Sequence, residues 1–290
     1  LFFMKILLIY PYFLDPRLNA EDIRSAPMGI YHVAAVLKER GHEVEVLNWH
    51  DRAIASGTIE AVLREKSPEV IGFSILHANR WGGIEIARAA KRIDPGVTVV
   101  FGGVGATHLW EHFLKHFPEI DFIVTGEGEG PFSRLVTALE NKAPVEMEGI
   151  PGLAFRKNGR PFRTAPAEAA CDLDALPMPG RHFDLAHVAL TRGCVSNCAF
   201  CGSPAFWGRR VRSHSAATFV EHLALLRSRG RRFFYVSDDT FTLDRRRVVD
   251  VCRRIVQRRL DINWAAISRV DAGDDEVLAW MRRAGCIQRS

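Results

Sequence analysis

Residues 191–201 have the sequence TRGCVSNCAFC, which holds three of the six cysteines of the chain. The spacing Cys-x3-Cys-x2-Cys puts Cys194, Cys198 and Cys201 on one short loop, where three thiolates can surround a single centre. Structural zinc sites normally close with four ligands, and iron–sulfur clusters are held by cysteine thiolates, usually four. Three thiolates with no evident fourth leave one iron open, so the pattern favours a reactive iron–sulfur cluster.

Two other interpretations of this loop remain open from the residues alone. His187 or His214 could complete a structural zinc site, which normally takes four ligands. The three cysteines could also be buried apolar side chains, although their clustering weighs against this.

The cysteine spacing follows a short apolar stretch and the residues Thr-Arg-Gly at 191–193. This arrangement resembles the radical S-adenosylmethionine enzymes. The resemblance implies that Cys194, Cys198 and Cys201 bind a [4Fe-4S] cluster, whose fourth iron chelates the amino and carboxylate groups of S-adenosylmethionine. Phe200 also fits the family, in which an aromatic residue at this place packs near the adenine.

The chain has 290 residues, of which 47% are apolar and 25% charged, and this describes a globular protein long enough for two domains. No run of about eighteen apolar residues occurs, so no membrane-spanning helix is predicted. No secretion signal is expected at residues 1–10, and clustered thiols then favour the reducing cytoplasm. The net charge of +5 combines an acidic first half with a basic second half. The basic residues fall on predicted surface helices, which disfavours nucleic acid as a partner.

Residues 4–141 alternate between short apolar runs and helical patterns, which predicts five βα units. Strands that alternate with helices form a parallel, doubly wound sheet, and such sheets bind ligands at the carboxyl ends of their strands. The predicted strands are residues 5–10, 43–48, 70–74, 97–101 and 122–125. The predicted helices are residues 28–40, 57–66, 81–93, 109–116 and 131–141.

Glycine-rich loops follow the fourth and fifth predicted strands, with Gly102 and Gly103 in the first loop and Gly126 and Gly128 in the second. Glycine lets the backbone approach a bulky ligand because it has no Cβ. The sequence has no G-x-x-x-x-G-K-[ST] phosphate loop, and no dinucleotide fingerprint follows the first strand. The loops therefore either hold another ligand or are simple turns.

This half of the chain resembles the cobalamin-binding domain that precedes many radical S-adenosylmethionine cores. The matching segments are residues 26–30, the pair at 102–103 and residues 121–129. The methionine-synthase-type pattern Asp-x-His-x-x-Gly is missing, so the resemblance implies cobalamin without a histidine on cobalt. The loop after the third strand lies near the lower corrin face in the family. The implied cofactor-binding residues are Ser74, Asn79, Gly102, Gly103, Gly126, Glu127, Gly128 and Glu129.

A proline-rich segment at residues 142–180 separates the two halves, and Asn158-Gly159 within it suits a type I′ hairpin turn. We therefore predict a cobalamin-binding domain at residues 1–145 and a linker with a hairpin at residues 146–182. The radical S-adenosylmethionine core is predicted at residues 183–290.

Three βα units of a barrel are predicted after the linker, with strands at residues 186–190, 232–237 and 261–267. Asp238 and Asp239 end the second of these strands, where family members contact the methionine amino group, and the resemblance gives the pair that role. The alternative is a helix N-cap, although Asp244 suits a cap better. Arg269 ends the third strand and by the same resemblance pairs with the methionine carboxylate or ribose. A salt bridge at the barrel mouth is the alternative for Arg269.

The two resemblances together imply a cobalamin-dependent radical S-adenosylmethionine enzyme with three cofactors: a [4Fe-4S] cluster, S-adenosylmethionine and cobalamin. The expected reaction is methylation of an unactivated carbon of a small molecule through a 5′-deoxyadenosyl radical, with electrons from a flavodoxin or ferredoxin. Radical oxidation, cyclisation or rearrangement with the same cofactors is an alternative. A cobalamin-binding or redox-sensing module without turnover is the alternative from another class.

The core of this family normally has six βα units, and only three are predicted here, with a fourth strand expected to begin at residues 284–290. The chain is therefore expected to be a fragment of a longer protein, with little or no turnover by itself. Its third core strand is expected to form an exposed sheet edge.

Overall fold

The structure is a computed structural model that describes residues 3–13, 27–49, 56–142, 144–269 and 271–289. The chain divides into two compact units, Leu1–Ala169 and Ala170–Ser290. Among the helices of the described ranges, none combines the length and the apolar content needed to cross a bilayer.

The first unit is built from strands that alternate with helices and then end in a hairpin. Within the part of the chain that the structure describes, its helices are α1 (Met28–Glu39), α2 (Ser56–Lys66), α3 (Arg80–Ile93), α4 (Gly103–His116) and α5 (Glu129–Glu140). Its strands are β1 (Lys5–Tyr10), β2 (Glu43–Asn48), β3 (Val70–Ser74), β4 (Thr98–Gly102), β5 (Phe122–Val124), β6 (Leu153–Lys157) and β7 (Arg160–Arg163).

These strands form one sheet in the order β2-β1-β3-β4-β5-β6-β7. The pairs from β2 to β5 are parallel, and β6 and β7 are antiparallel additions. The strand order reverses direction at β1, so the carboxyl ends of β1 and β3 flank the switch point where doubly wound sheets bind ligands. The predicted α/β class with a doubly wound parallel sheet is confirmed.

The centre of this sheet is apolar on both faces, as expected for a parallel sheet covered by helices. Ile6, Leu7, Leu8 and Ile9 of β1 are all buried. The side chains of β1 therefore pack into both helix layers.

Helix α4 begins six residues before its predicted start at residue 109. Gly103, with a φ of +88°, makes the turn out of β4 in a single residue, so no loop is needed before the helix. The backbone of Leu109 departs from helical geometry, with φ −110° and ψ 17°. The predicted start therefore coincides with a kink inside a longer helix.

The hairpin predicted between residues 154 and 164 is present as β6 and β7. Asn158 and Gly159 have φ values of 52° and 76°, as a type I′ turn requires. β6 pairs antiparallel with β5, so the hairpin belongs to the first sheet and does not stand between two domains. Along the chain, the boundary between the two compact units falls between Ala169 and Ala170. The linker bounds of 146–182 remain a prediction.

The second unit has a parallel sheet in the order β13-β12-β11-β8 and a separate antiparallel pair, β9 and β10. In the described residues its strands are β8 (His187–Val188), β9 (Thr191–Arg192), β10 (Arg212–Ser213), β11 (Phe233–Val236), β12 (Asn263–Ala266) and β13 (Cys286–Arg289). Its helices are α6 (Ser203–Trp207), α7 (Ala216–Ser228), α8 (Arg245–Gln257) and α9 (Asp275–Arg283). The alternation of parallel strands with α7, α8 and α9 is the predicted partial βα barrel.

Two predictions for this unit are wrong in detail. The third core strand, β12, is not a sheet edge, because β13 pairs with it in parallel from Trp264↔Cys286 to Ala266↔Arg289. A fourth core strand is expected to begin within residues 284–290, and β13 lies there. The predicted first strand at 186–190 is also shorter, since β8 ends at Val188.

Candidate functional site

The cysteine loop is closed at its base by the two-residue ladder between β9 and β10. Gly193 turns the chain out of β9 with a φ of +97°, a conformation that glycine adopts without strain. A Cβ at Gly193 would lie 2.2 Å from the carbonyl oxygen of Arg210. The cysteine loop therefore begins after Thr-Arg-Gly, and position 193 must be glycine because a side chain there would clash with the backbone of Arg210.

The three thiols of the loop differ in exposure. Cys194 is buried, Cys198 is half-buried and Cys201 is exposed, and all three are free thiols. Within the described ranges, no three His, Cys, Asp or Glu side chains are gathered closely enough to hold a metal ion. The structure thus brings the cysteines onto one loop, and their role as cluster ligands stays a prediction.

Cys194 lies beside hydrogen-bond donors. Its sulfur accepts a hydrogen bond from the backbone N–H of Ser196 at 3.4 Å and lies 3.6 Å from the Thr240 hydroxyl oxygen. Burial acts to raise the pKa of the Cys194 thiol, but the hydrogen bonds with Ser196 and Thr240 outweigh it and lower the pKa below its usual value. A lower pKa makes the thiolate easier to form, and the thiolate is the form that binds a metal.

Arg269, in the segment after β12, reaches the same loop. Its Nη1 lies 3.2 Å from the Ser196 hydroxyl oxygen and 3.9 Å from the Cys198 sulfur. Its Nε and Nη2 donate to the two carboxylate oxygens of Asp271 at 2.9 and 2.7 Å. The arginine predicted to face S-adenosylmethionine is thus directed at the cysteines, while its pairing with a methionine carboxylate or ribose stays a prediction.

The two predicted carboxylates at the end of β11 have different surroundings. Asp238 is 1% exposed, and its oxygens accept hydrogen bonds from Leu190 N (2.8 Å), Thr191 N (3.0 Å) and the Thr191 hydroxyl (2.8 Å). Burial raises the pKa of Asp238 to about 6, although the bonds from Thr191 and Leu190 oppose the rise. Asp238 therefore fastens the start of the cysteine loop to the end of β11. The same contacts explain why β8 stops at Val188, because the next N–H groups point at this carboxylate.

Asp239 is the exposed member of the pair. Its carboxylate accepts a hydrogen bond from the Ser203 hydroxyl at 2.5 Å, on the segment that follows Cys201. Only Asp239 of the two presents its carboxylate to solvent. If this strand end meets a methionine ammonium, Asp239 is the residue that can reach it.

Phe200 and the two histidines proposed as zinc ligands also have defined surroundings. Phe200 is 92% exposed, so its predicted packing near an adenine stays a prediction. His187 Nδ1 lies 2.9 Å from the Ser237 hydroxyl, and His214 Nδ1 lies 3.0 Å from a carboxylate oxygen of Asp174. Both imidazoles are engaged away from the cysteines, which weighs against a zinc site completed by either of them.

The carboxyl edge of the first sheet includes the loop after β3, which is closed by hydrogen bonds of Asn79. Asn79 is fully buried, and its side chain accepts a hydrogen bond from Leu76 N (2.7 Å) and donates one to the Ser74 carbonyl (3.2 Å). Asn79 therefore holds the loop in its shape, and its predicted role beside a cofactor stays a prediction. Ser74 is half-buried, and Leu76, His77 and Ala78 are exposed at the loop tip.

The first glycine loop packs against this β3 loop. Gly103 has a φ of +88°, and a Cβ there would lie 3.0 Å from the Ile75 carbonyl oxygen. At Gly105 a Cβ would lie 2.7 Å from the carbonyl carbon of Leu76. Gly102 has no such close contact, since its Cβ would be 3.7 Å or more from its neighbours. Glycine at 103 and 105 is therefore required by neighbouring backbone.

The second glycine loop is open at Gly126. Gly126 has a φ of +77°, and a Cβ there would meet nothing within 4 Å. At Gly128 a Cβ would lie 3.0 Å from the Val33 side chain. Glu127 is half-buried, and Glu129 is buried in the first turn of α5, where the helix dipole favours a carboxylate.

Thr107 connects the two glycine loops and was missed by sequence analysis. Its hydroxyl donates to the Gly103 carbonyl at 2.8 Å and accepts from the Gly126 N–H at 3.0 Å. The first contact is the usual i to i−4 bond of a helical threonine. That contact could have been anticipated only if α4 had been predicted to start at Gly103.

Two protein families match the chain, one for each unit. The B12 binding domain matches residues 24–136. The radical SAM superfamily matches residues 188–289, which include the cysteine loop.

The chain belongs to the radical SAM superfamily. Its B12 binding domain puts it among the cobalamin-dependent members, so the predicted family is confirmed. The cofactors of such members are a [4Fe-4S] cluster, S-adenosylmethionine and cobalamin. The residues present fit these groups, because three thiols on one loop are the donor set of an iron–sulfur cluster. The open backbone at Gly126 likewise leaves room for a ligand at the carboxyl edge of the first sheet.

Relatives align over nearly the whole chain. The uncharacterized methyltransferase PH0819 of Pyrococcus horikoshii is 31% identical over 98% of this chain. An anaerobic magnesium-protoporphyrin IX monomethyl ester cyclase of Synechocystis is 27% identical over 97% of the chain. The chain spans only 64% and 59% of the length of these two relatives.

Solved radical SAM structures share this fold. The methyltransferase TsrM from Kitasatospora setae superposes with a TM-score of 0.80 at 21% identity, over 99% of this chain and 58% of TsrM. The cobalamin-dependent enzyme OxsB superposes with a TM-score of 0.76 at 17% identity, over 99% of this chain and 43% of OxsB. At such identities the likeness establishes the fold.

Proposed function

We propose that this chain is the cofactor-binding part of a cobalamin-dependent radical SAM methyltransferase that acts on an unactivated carbon of a small molecule. The observation that carries the proposal is the cysteine loop, in a chain that also has a B12 binding domain. β9 and β10 close this loop at its base, and the sulfurs of Cys194 and Cys198 lie beside nitrogen donors. Relatives named as methyltransferases support methyl transfer, among them a cytidylyl-2-hydroxyethylphosphonate methyltransferase of Streptomyces wedmorensis and a hopanoid C-3 methylase of Methylococcus capsulatus.

In the second unit, Cys194, Cys198 and Cys201 are the residues that would hold the cluster. When bound, the cluster and S-adenosylmethionine supply a carbon-centred radical, and cobalamin supplies the methyl group. The hydrogen bonds with Ser196 and Thr240 lower the pKa of the Cys194 thiol against the effect of burial. Asp239 offers the exposed carboxylate that an ammonium group needs.

In the first unit, the edge formed by the β3 loop and the two glycine loops is where we infer that the corrin binds. Gly126 supports this, because its backbone faces open space at the carboxyl end of β5. Asn79 and Gly103 act indirectly, since they hold the loop at 74–79 and the start of α4 in place. Ser74, Gly102, Glu127, Gly128 and Glu129 complete the proposed edge.

Radical cyclisation is the second candidate reaction. Three of the relatives are named as anaerobic magnesium-protoporphyrin IX monomethyl ester cyclases, and they align over 91% to 99% of this chain. The two reactions share the cofactors and differ in the substrate, so the substrate pocket of the whole protein decides between them.

A small-molecule substrate and a reducing protein of the flavodoxin or ferredoxin class are the partners we infer. An exposed Cys201 beside a half-buried Cys198 leaves the loop accessible to an electron donor. All six cysteines are free thiols, which is the state expected in the reducing cytoplasm.

The test is anaerobic reconstitution with iron and sulfide, followed by incubation with S-adenosylmethionine and reductant. We expect about four irons and four sulfides per chain, loss of most iron in each single Cys→Ala variant, and 5′-deoxyadenosine from a version extended to the length of the relatives. Stoichiometric zinc, or iron retained by the triple Ala variant, contradicts the cluster assignment. Cluster and corrin without any 5′-deoxyadenosine from the extended version favours a sensor module.

A further inference from the structure

Arg269 is the arginine that bridges the end of β12 and the cysteine loop. The contacts of its Nη1 with Ser196 and Cys198 join residues that are 73 and 71 positions apart in the sequence. They are therefore tertiary contacts, and they bring a permanent positive charge to the side of Cys198.

Asp271 fixes the direction in which this charge points. It accepts two parallel hydrogen bonds from Nε and Nη2 of Arg269, a bidentate geometry that holds the guanidinium plane. Both side chains are about half exposed, at 43% and 60%, so the ion pair itself adds little to stability. The ion pair instead orients the guanidinium, so that its remaining nitrogen, Nη1, points at the cysteine loop.

Ser196 connects this contact with the neighbouring cysteine. Its hydroxyl oxygen lies 3.2 Å from Arg269 Nη1, and its backbone N–H donates to the Cys194 sulfur at 3.4 Å. Two of the three sulfurs thus have a nitrogen donor that belongs to one connected group of residues.

We propose that Arg269, held by Asp271, is a positioning residue that donates to the Cys198 thiolate and thereby raises the reduction potential of the cluster. The proposal rests on the proposed function, since it requires a cluster on these cysteines. A hydrogen bond to a ligand sulfur and a nearby positive charge both stabilise the reduced cluster, which carries one more negative charge than the oxidised cluster. This assigns Arg269 a role at the cysteine loop that differs from the predicted pairing with a methionine carboxylate or ribose.

The experiment compares reconstituted wild type with Arg269→Met and Arg269→Lys by iron analysis, electron paramagnetic resonance and a redox titration. The matched control is Arg245→Met, which removes the same charge from an arginine whose guanidinium pairs with Asp274 and Glu276. The wild type and the three variants should bind equal amounts of iron, so that the reduction potential is measured on intact clusters in every case.

Arg269→Met should make the midpoint potential more negative, by about a tenfold change in the ratio of reduced to oxidised cluster, which is about 59 mV for a one-electron couple. Arg269→Lys should give a smaller shift in the same direction, because one ammonium cannot serve both Asp271 and Cys198. Arg245→Met should leave the potential and the resonance spectrum unchanged.

A second arm tests the part assigned to Asp271. Asp271→Asn should change the potential and the spectrum more in the wild-type background than in the Arg269→Met background, since Asp271 acts through Arg269. Equal effects in the two backgrounds would overturn that part.

Unchanged potentials in both Arg269 variants, or an equal shift in Arg245→Met, would overturn the inference while leaving the cluster assignment intact. A wild-type chain that takes up no iron would instead contradict the proposed function itself. If Arg269→Met fails to fold, Arg269→Lys alone still decides the sign of the shift.

Discussion

The hydroxyl of Thr107 accepts a hydrogen bond from the backbone N–H of Gly126 at 3.0 Å and so joins the two glycine loops of the first unit. Gly126 belongs to the loop after β5, whereas Thr107 lies on α4, the helix that follows β4. The carboxyl ends of adjacent strands are thereby held in one arrangement, and a single side chain on α4 connects the two loops of the proposed corrin edge.

Replacing Thr107 by Val should remove both of its hydrogen bonds and leave the Gly126 N–H without this acceptor. We expect a loss of about 1–2 kcal/mol in the free energy of unfolding and weaker binding of hydroxocobalamin, while Thr107→Ser retains both. Thr137→Val is the matched control, since Thr137 makes the same helical bond to Ser133 without bridging two loops. Equal losses of corrin affinity in both Val variants would contradict the bridging role.

Asp238 should make the stability of the chain fall as the pH rises from about 4 to about 6. Its pKa is raised from 3.8 to about 6 by burial, so the folded chain holds one more proton than the unfolded chain in this window. The free energy of unfolding then decreases with pH by an amount on the order of 3 kcal/mol for a shift of about two pKa units.

Asp238→Asn should flatten that dependence, because an amide carries no charge and still accepts from Leu190 and Thr191. Denaturant titrations of both chains between pH 4 and pH 7 measure the difference. Parallel curves for wild type and Asp238→Asn would show that Asp238 does not titrate as stated.

Gly193→Ala should disrupt the cysteine loop. The added Cβ would lie 2.2 Å from the Arg210 carbonyl oxygen at a φ of +97°, and backbone strain alone costs about 1–3 kcal/mol. Iron uptake on reconstitution should fall with the stability. Gly202→Ala is the control in the same loop, since its Cβ meets nothing within 4 Å and its φ is −81°. Similar iron contents for the two variants would refute the steric argument.

Gly126→Ala should separate ligand binding from folding. Its Cβ meets no protein atom within 4 Å, so the stability cost is limited to the left-handed backbone, about 1–2 kcal/mol. Hydroxocobalamin affinity should fall further than this cost explains, because the methyl group projects into the proposed edge. Gly130→Ala, which also meets nothing, should bind normally. An unaltered affinity in Gly126→Ala would contradict binding of the corrin beside this loop.

Replacing His77 or His108 by Ala should leave the corrin spectrum unchanged. His77 lies exposed at the tip of the β3 loop, and His108 lies exposed on α4, so both are sterically able to reach a ligand. The absence of an Asp-x-His-x-x-Gly sequence nevertheless predicts no histidine on cobalt. Nitrogen splitting in the electron paramagnetic resonance of the cobalt(II) corrin measures this, and its loss in either variant would identify the ligand.

The strands of the first unit were predictable because a parallel sheet buried on both faces needs continuous apolar runs such as the one in β1. The early start of α4 was not, since glycine propensity argues against a helix that in fact begins at the left-handed Gly103. Similarly, the cysteine spacing identified the loop. The different roles of Asp238 and Asp239 could not be predicted, because the burial of each residue at a strand end depends on the tertiary structure.

The hairpin of β6 and β7 has a consequence for how the first unit behaves in solution. It covers β5, which has only three residues, and it ends the sheet in a strand that carries Pro161 between Arg160 and Arg163. Proline and charged residues at an outer strand discourage pairing with another molecule. A separately produced first domain should therefore extend through Ala169, because one that stops near residue 145 would present the backbone of β5 to its neighbours and aggregate.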